Sequence, residues 1–364
     1  MGVASAGAQA VAVDASTAFH NPAGMTRLDS NQLMLTGGFL KATVKFDADA
    51  NTPIAGGDGG DAGGPAPILG TFYAHRLTDR LSLGANLISI TGAVLEYDDG
   101  WAGRFLNTEV TLLTVTFNPT IAYRITDRLS VGAGPMIMYG KLEIKAAVPP
   151  PAGTGEVKID GDDVAAGFTA GALFELTERT RFGVLYQSKI DLEFSGDVKI
   201  NPIGAQVATE TTITLPQAVR SSVYHELNDQ FALLASVDWE DWSDFENINI
   251  STGMGGTKIP RNWIDTWKFA AGVHYRPTNP WLLQLGFAYD TSPVGESDRT
   301  PDMPIDRQIR IATGAQYQWS EKLSVGGQFV YADYGKAEIN NALLTGEYDR
   351  NEIFFFALNG NMKF

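Results

Sequence analysis

Apolar and polar residues alternate along most of the chain, and the final segment shows this pattern most clearly. From Phe354 to Phe364 every second position is Phe, Leu, Gly or Met, whereas the intervening positions end in Asn359, Asn361 and Lys363. Successive side chains of a β-strand point to opposite faces, so this segment is predicted to be a strand with one apolar face. Residues 181–189 and 323–332 alternate in the same way.

Six similar short turns separate the alternating segments. The clearest are RLTDRLSLG at residues 76–84 and RITDRLSVG at 124–132, and looser copies are centred on Glu178, Asp229, Asn279 and Glu321. They recur every 42 to 51 residues, which is typical of repeated two-strand units. Six tight turns together with a first and a last strand predict an all-β antiparallel protein of 14 strands.

Composition narrows the class of protein. The chain has 364 residues, no cysteine and a formal net charge of −15, and no basic stripe is present to neutralise phosphates, which excludes a nucleic-acid partner. Its mean hydropathy of −0.08 and the lack of a run of about 18 apolar residues exclude a helical membrane protein. A transmembrane β-barrel remains possible because its lipid-facing residues occupy only alternate positions. A soluble propeller or solenoid is the alternative.

Three observations favour the membrane barrel. Aromatic residues gather near strand ends, as interface girdles require, at Tyr123, Tyr139, Tyr275, Tyr317 and Trp319. Only closure removes unpaired backbone edges within lipid. The terminal Phe364 resembles that of bacterial outer-membrane proteins, whose last aromatic residue is recognised by the barrel insertion machinery.

In outer-membrane barrels the short turns face the periplasm and the long loops face outside, so the short turns are predicted to be periplasmic. The long Gly, Asp and Pro-rich segments are then predicted to be extracellular, at residues 48–67, 96–109, 146–163, 199–211, 246–262, 292–306 and 337–349.

Residues 1–29 do not have the pattern of a strand. They are rich in Gly, Ala and Ser, and they predict a short helix, a capped turn at residues 14–17 and a break at Asn21-Pro22. They lack the charged and apolar regions of an intact secretory signal, so we expect any signal to have been removed. Because 14 strands enclose more space than wall side chains fill, we assign residues 1–29 to a plug and 30–364 to the barrel.

Several motifs resemble the FadL family of outer-membrane channels. They are DAST at residues 14–17, NPAGM at 21–25, GWAGRF at 100–105, NPTIAY at 118–123, LP at 215–216, DWEDWSDF at 238–245, DTSPV at 290–294 and PIDR at 304–307, in the family's order. The resemblance implies a 14-stranded barrel around an N-terminal hatch, held to the wall by Asn21, Pro22 and Ala23. It implies passage of long-chain fatty acids and other hydrophobic molecules. The chain begins about twelve residues before Asp14, so the outermost part of the family's N-terminus is expected to be shortened.

Two parts of the wall are candidates for contact with a hydrophobic solute. The predicted lumen face of the fifth strand carries Met136, Met138, Leu142 and Ile144, where a water-filled porin would place charges; packing against the plug is the alternative. In the third strand the apolar residues occupy odd-numbered positions up to Leu87 and even-numbered positions from Ile88 to Val94, with Gly92 within the change. This shift indicates a bulge. The family's third strand is kinked and opens the wall sideways, so a lateral opening is expected at Ser89, Ile90, Thr91, Gly92 and Ala93. The alternative is a strand that packs on the plug.

The remaining chemistry favours transport over catalysis. A fatty acid carboxylate would pair with a cation, and the candidates are Arg104, Lys141, Arg261, Lys268 and Arg310. The four histidines are isolated in sequence, and we find no catalytic, metal or phosphate motif, so we expect no enzyme activity and no cofactor. We therefore predict a monomeric, passive bacterial outer-membrane channel, gated by ligand-driven movement of the hatch, for long-chain fatty acids. The alternatives are aromatic hydrocarbons or oxygenated lipids as substrates, a surface adhesin, and a lipid-modifying enzyme. Expected partners are a hydrophobic ligand, outer-membrane lipid and lipopolysaccharide.

Overall fold

A computed structural model describes residues 2–89, 92–149, 155–201, 204–245, 247–252 and 255–364. Within these residues the chain forms a closed antiparallel β-barrel of 14 strands, as the turns and the alternation predicted. Strand β1 pairs with β2 on one side and with β14 on the other, from Gln32 opposite Lys363 to Ala48 opposite Gly346. This last pairing closes the sheet and satisfies both of its edges.

The strands differ in length, and five of them are interrupted once. Their bounds are β1 Gln32–Ala48, β2 Pro65–Arg76, β3 Leu81–Ile88 and Gly92–Glu96, β4 Glu109–Arg124, β5 Leu129–Ala147, β6 Glu156–Thr177, β7 Thr180–Gln187 and Ile190–Asn201, β8 Ala205–Leu215 and Ala218–Glu226, β9 Phe231–Glu240 and Asn247–Thr252, β10 Gly255–Pro260 and Thr266–Tyr275, β11 Trp281–Asp290, β12 Gln308–Gln318, β13 Leu323–Asp333 and β14 Thr345–Lys363. A short segment, Ile339–Asn340, pairs with β14 in the last long loop.

The outward face of the barrel is apolar, as expected of a wall in contact with lipid. Leu35, Phe39, Phe117, Ile137 and Phe287 are examples of large apolar side chains that are exposed on this face. Aromatic rings pair across strands near the strand ends, for example Trp281 with Tyr317 and Phe231 with Tyr275. None of the helices in the described part of the chain is long and apolar enough to cross a membrane.

The N-terminal segment, residues 2–31, contains little regular structure. Residues 2–10 form successive turns, and an α-helix at Thr17–His20 is followed by a 3₁₀ helix at Pro22–Arg27. The predicted helix before the capped turn is therefore wrong: the helix follows the turn. The reason is local, because Ala4, Ser5 and Gly7 all have positive φ angles, which interrupt a right-handed helix.

Small residues allow this segment to lie against the inner wall. A Cβ atom on Gly183 would lie 2.0 Å from the carbonyl oxygen of Gln9, and one on Gly286 would lie 2.1 Å from the carbonyl carbon of Val3. The same region contains an apolar cluster in which Val3, Ala6 and Ala10 pack with wall side chains such as Leu234. The segment thus occupies the lumen on the side of the short turns.

Candidate functional site

The predicted lumen residues of β5 lie together in an apolar cluster, here called the lumen cluster. Met136, Met138 and Leu142 are almost fully buried in it, and Ile144 packs at its edge. The other members come from β4, β7, β8, β9 and the long loops, and they are Leu112, Ile190, Leu192, Phe194, Ile213, Leu215, Phe245, Ile248, Trp263 and Val294, with Ala93, Ala165, Trp242, Met303 and Ile305 partly buried against them. The barrel therefore contains a packed apolar cluster of mixed aliphatic and aromatic character.

The lumen cluster lies at the extracellular end of the barrel. In β7 the inward positions are Arg181 and Leu185 below the interruption at residues 188–189, whereas Ile190 and Leu192 point inward above it. One extra residue at the interruption reverses the parity. The outward neighbours above it include the exposed Asp191, which indicates that this level lies beyond the apolar band.

Aromatic rings cover one side of the lumen cluster. The ring centroids of Trp242 and Trp263 are 4.9 Å apart, and Phe245 meets Trp263 edge-on at 5.2 Å. Trp242 donates a hydrogen bond from Nε1 to Glu240 at 3.2 Å. The motif at residues 238–245 was noticed in the sequence only as a resemblance. Its placement at the interruption of β9 explains why it carries both apolar rings and charges.

The third strand is broken where the sequence predicted a bulge. Ile88 is opposite Thr116 and Gly92 is opposite Leu113, so β3 uses four residue steps where β4 uses three. The inward parity therefore changes, from Ser82 and Asn86 below the break to Leu95 above it. Ser89 and Gly92 are exposed, and Ala93 packs on the lumen cluster. Ile90 and Thr91 lie outside the described residues.

A seam between β2 and β3 accompanies this break. Their pairing ends at Gly70 opposite Ile88, and in the part of the chain that the structure describes Gly92–Glu96 pairs only with β4. The backbone N–H of Glu96 donates to the carbonyl oxygen of Ala62 at 3.0 Å and so bounds the seam above. Wall side chains line it outside, including the exposed Leu69 and Val94.

The sequence carried a second signal for this seam that our sequence analysis missed. Strand β2 begins Pro65-Ala66-Pro67, and these residues pair with β1 alone among the described strands. Proline has no N–H to donate and is confined to strand edges. Two prolines at alternate positions of one barrel strand therefore indicate that this part of the strand forms a local edge, even though the barrel as a whole is closed.

Asn21 joins the N-terminal segment to the wall. The side chain is completely buried, and Nδ2 donates hydrogen bonds to the carbonyl oxygens of Gln9 and of Ala172 in β6, each at 2.9 Å. Oδ1 accepts a hydrogen bond from the N–H of Ala23 at 3.2 Å. Pro22 and Ala23 are buried beside it. One amide thus satisfies three backbone groups.

Other wall residues hold the same segment, and our sequence analysis did not single them out. Arg181 is almost fully buried and donates from Nε to the carbonyl oxygen of Ala10 at 3.0 Å and from Nη2 to that of Val11 at 2.9 Å. Its guanidinium lies 4.2 Å from the ring centroid of Tyr224. Asn86 in β3 donates to the carbonyl oxygen of Ala18 at 3.2 Å. The sequence did contain a signal for the role of Arg181, because it is an arginine at an inward-facing position of a strand whose neighbouring strands are rich in glycine.

Two of the five candidate cations do not reach the lumen cluster. Lys141 is exposed and lies on the outward parity of β5, because Met138 and Leu142 occupy the inward one. Arg104 lies in an extracellular loop, where Nη1 donates to the carbonyl oxygens of Ala55 and Trp101, each at 2.9 Å. The structure thus places these two carboxylate-binding candidates away from the lumen cluster.

Lys268 and Arg310 belong to a belt of charged side chains on the inner faces of neighbouring wall strands. Lys268 forms an ion pair with Asp238, Arg310 lies 3.3 Å from Asp290, and Arg220 pairs with Glu240 at 2.9 Å, so that three cations face three carboxylates. Cross-strand register places Asp238 between Arg220 and Lys268, and Asp290 opposite Lys268. The two lumen candidates in this belt therefore already have carboxylate partners on the wall.

Arg261 is the candidate cation that touches the lumen cluster. Its guanidinium lies 5.6 Å from the ring centroid of Phe245 and binds Asp302 through both terminal nitrogens, one of them at 2.9 Å. Burial of Asp302 opposes its ionisation, but the pairing with Arg261 outweighs burial and holds the pKa of Asp302 below its ordinary value. The pair is therefore ionised at neutral pH.

The extracellular loops pack into a second cluster, here called the cap cluster. Its members include Phe46, Tyr97, Trp101, Leu344 and Tyr348. The rings of Tyr97 and Trp101 are stacked at 4.0 Å, and the Tyr97 hydroxyl lies 2.8 Å from that of Tyr348. Burial raises the pKa of Tyr97 above its ordinary value, so its hydroxyl stays neutral and donates to the carbonyl oxygen of Pro301 at 2.9 Å.

A cavity of about 840 Å³ separates the N-terminal segment from the wall on the side of the short turns. It reaches from the turn at residues 276–280 to Ile88 and Ser89 at the break in β3. Much of its lining is polar, including Asp14, Gln284, Gln316, Asn359 and Asn361. Its lining therefore mixes polar and apolar side chains, which distinguishes it from the lumen cluster.

Comparison with known proteins agrees with this architecture. The long-chain fatty acid transport protein of Salmonella typhi is 25% identical over 407 aligned residues, which cover 100% of this chain and 92% of that protein. The crystal structure of a Pseudomonas aeruginosa FadL homologue has a TM-score of 0.91 at 22% identity, with 100% of this chain and 97% of that chain covered. The Ralstonia pickettii toluene transporter TbuX has a TM-score of 0.74 at 18% identity, covering 100% and 98%. These structures show the same fold.

The barrel, its order of motifs and its relatives also define the family and the compartment. The fold is that of an integral multi-pass barrel of the outer membrane, and family members are transport channels rather than enzymes. The family model described as outer membrane protein transport protein (OMPP1/FadL/TodX) matches residues 1–364. The chain belongs to this family of outer-membrane transport channels.

Proposed function

We propose that the chain is a passive channel for long-chain fatty acids within this family of transporters for hydrophobic compounds. The observation that carries the proposal is the lumen cluster, in which the buried side chains of Met136, Met138 and Leu142 belong to the same apolar cluster as the aromatic rings of Trp242 and Trp263. Burial of an alkyl chain there stabilises it by roughly 0.8 kcal/mol for each CH₂ group removed from water. Methionine side chains adapt to flexible chains of different length.

The bound solute leaves sideways through the seam between β2 and β3. Ala93, just above the break in β3, packs on the lumen cluster, so the inner side of the seam is continuous with the apolar site. The exposed Leu69 and Val94 continue this apolar surface towards lipid. The cavity on the side of the short turns has a mixed lining that includes Asp14, Gln284 and Asn359. The apolar route therefore runs from the extracellular end into the outer leaflet.

The N-terminal segment acts as the hatch. Its hydrogen bonds through Asn21 and Arg181 block the lumen below the charged belt. Movement of this segment when ligand binds would reach the break in β3 directly, because Asn86 donates to the carbonyl oxygen of Ala18 in the hatch. We assign Asn21, Pro22 and Ala23 to the hatch anchor on these contacts.

The identity of the substrate rests on two opposing considerations. The Salmonella typhi relative is named for long-chain fatty acids, which favours a carboxylic acid with an alkyl chain. The Ralstonia pickettii structure is that of a toluene transporter, and Arg261, Lys268 and Arg310 all have carboxylate partners here. Uncharged aromatic hydrocarbons are therefore the second candidate.

Competition binding on the purified full chain in lipid nanodiscs tests the proposal. Labelled oleate is displaced by unlabelled oleate, by methyl oleate or by toluene. Displacement by oleate at lower concentration than by the uncharged compounds is the expected result. Equal or better displacement by toluene would assign the channel to hydrocarbons, and failure of labelled oleate and toluene to bind would contradict a hydrophobic channel altogether.

A further inference from the structure

Residues 300–305, here called the bridging segment, connect the lumen cluster to the cap cluster. The carbonyl oxygen of Pro301 accepts a hydrogen bond from the hydroxyl of Tyr97 in the cap cluster. Two residues further on, Met303 packs on the lumen cluster, as does Ile305. Asp302 lies between these contacts and binds Arg261. The ion pair therefore sits at the junction of the two clusters.

The arrangement around Arg261 has the form of a site for a carboxylate with an apolar tail. Its side chain is only 3% exposed, and both terminal nitrogens face the two oxygens of Asp302. A planar guanidinium matches any carboxylate in this two-point geometry. Phe245, on which the guanidinium lies, belongs to the lumen cluster, so an alkyl chain seated there brings its head group towards Arg261.

We propose that Asp302 is an internal occupant of the head-group site, that the carboxylate of a bound amphiphile replaces it on Arg261, and that this exchange releases the bridging segment. The inference rests on the proposed function and adds its specificity-determining residue, Arg261, together with the means by which the loops respond to the ligand. A compound without a carboxylate has nothing to exchange and leaves the bridging segment in place.

The location of Asp302 distinguishes this pair from those of the charged belt. Asp238 and Asp290 lie within strands, so a ligand that took Lys268 or Arg310 would leave a carboxylate fixed in the wall without its partner. An uncompensated buried charge is strongly destabilising. Asp302 lies in the loop between β11 and β12 and can move into water once it is released. Exchange at Arg261 keeps one ion pair on the arginine throughout.

Binding constants for two matched ligands and four proteins test the exchange. The proteins are the parent, Asp302→Asn, Arg261→Gln and the control Asp298→Asn, whose carboxylate lies in the same loop and accepts from Asn262 rather than from Arg261. We expect Asp302→Asn to bind oleate about tenfold more tightly than the parent, because the internal competitor is gone, with methyl oleate unchanged. Arg261→Gln should lower oleate affinity to that for methyl oleate, and Asp298→Asn should resemble the parent.

The parent protein supplies a second test that needs no substitution. Arg299 precedes the bridging segment, is buried and donates from Nε to the carbonyl oxygen of Ile305 at 3.0 Å. Release of the segment breaks this contact, so trypsin should cleave after Arg299 faster with oleate bound than with methyl oleate bound at equal saturation. Equal cleavage rates would overturn the exchange.

The possible failures can be told apart. If oleate binds the parent in preference to methyl oleate but Asp302→Asn binds it no more tightly, or tightens methyl oleate equally, the exchange is wrong and the fatty acid assignment stands. If the parent binds oleate and methyl oleate equally, both the exchange and the carboxylate substrate are wrong. If neither binds, the proposed function itself fails.

Discussion

The side-chain nitrogen of Asn21 lies 2.9 Å from the main-chain carbonyl oxygen of Ala172 and thereby ties the N-terminal segment to strand β6. The same nitrogen donates to the carbonyl oxygen of Gln9, which belongs to the segment itself. A single amide therefore fixes both the shape of the segment and its position on the wall. The proposed hatch function depends on this link, because a plug must be held firmly and must also be releasable.

Replacement of Asn21 by alanine should loosen the segment and leave the barrel folded. Buried backbone groups at Gln9, Ala172 and Ala23 lose their partner, and each such loss costs about 1–3 kcal/mol. Hydrogen exchange of residues 2–31 should accelerate, and uptake of oleate should change at equal membrane levels. The matched control is Asn31→Ala, whose half-buried side chain accepts a hydrogen bond from the N–H of Arg76. Unchanged exchange and uptake in Asn21→Ala would remove the anchor role.

Replacement of Arg181 by lysine should release the first turns of the segment. Lysine keeps the charge but lacks the planar group that reaches Ala10 and Val11 together. We expect amide exchange at residues 7–11 to rise roughly tenfold, which corresponds to the loss of about one hydrogen bond to a charged group. Arg179→Lys is the control, because its exposed pair with Asp229 contributes little. Equal exchange in the two variants would contradict the anchoring by Arg181.

Replacement of Met138 by glutamine should weaken binding of every apolar ligand. The substitution keeps the length of the side chain but places an amide in the lumen cluster, at a cost of about 1–3 kcal/mol if it has no partner. Oleate and toluene affinities should therefore fall by about tenfold or more. Ile137→Gln, one residue away on the outward face, should leave both affinities unchanged in the folded protein. The measurement is the same competition assay, and a fall for Ile137→Gln alone would place the site elsewhere.

The Arg261–Asp302 pair should make the extracellular loops sensitive to acid. The pKa of Asp302 in the folded protein is lowered, so the stability that the pair contributes is present above the ordinary aspartate pKa of about 3.9 and is lost as the pH falls through the lowered value. Hydrogen exchange of residues 292–306, corrected for intrinsic rates, should be constant from about pH 7 to 5 and should rise below about pH 4. In Asp302→Asn the exchange should already be fast at neutral pH. A rise in the parent between pH 7 and 5 would contradict the assignment.

Much of the barrel follows from periodicity. The alternation in Phe354–Phe364 and the repeated turns predicted the strand number, and the parity switch near Gly92 predicted the break that separates Ile88 from Ala93. These features are local, because each depends on neighbours within one strand or one turn. The inward placement of Met136 and Met138 follows from the same local rule.

The contacts between distant residues could not be predicted in this way. Lys141 and Arg261 are both cationic, yet Lys141 is exposed on the outer face of the barrel and Arg261 is buried on Asp302. The outward position of Lys141 follows from the alternation in β5, but the burial of Arg261 depends on a loop whose course over the barrel has no periodic signal. Arg181 likewise holds the N-terminal segment through hydrogen bonds to backbone oxygens about 170 residues away in sequence. The prolines at the start of β2 are the exception, since their lack of an N–H was a local signal for the seam.

The seam carries the central claim, and a bulky residue at its edge tests it most directly. Gly92 is exposed on β3, and among the described residues beyond its chain neighbours only the carbonyl oxygen of Leu112 lies within 4 Å of an added Cβ, so tryptophan can be accommodated while it narrows the gap. Gly360→Trp is the control, on the outward face of β14, where no described residue other than its chain neighbours lies within 4 Å of an added Cβ. The measurement is the rate of oleate uptake by cells with equal amounts of folded protein, together with oleate affinity of the purified variants. The account predicts uptake reduced about tenfold in Gly92→Trp, equivalent to a barrier of roughly 1.4 kcal/mol, with unchanged affinity and a normal Gly360→Trp control. Uptake by Gly92→Trp at the rate of the parent would contradict lateral passage between β2 and β3.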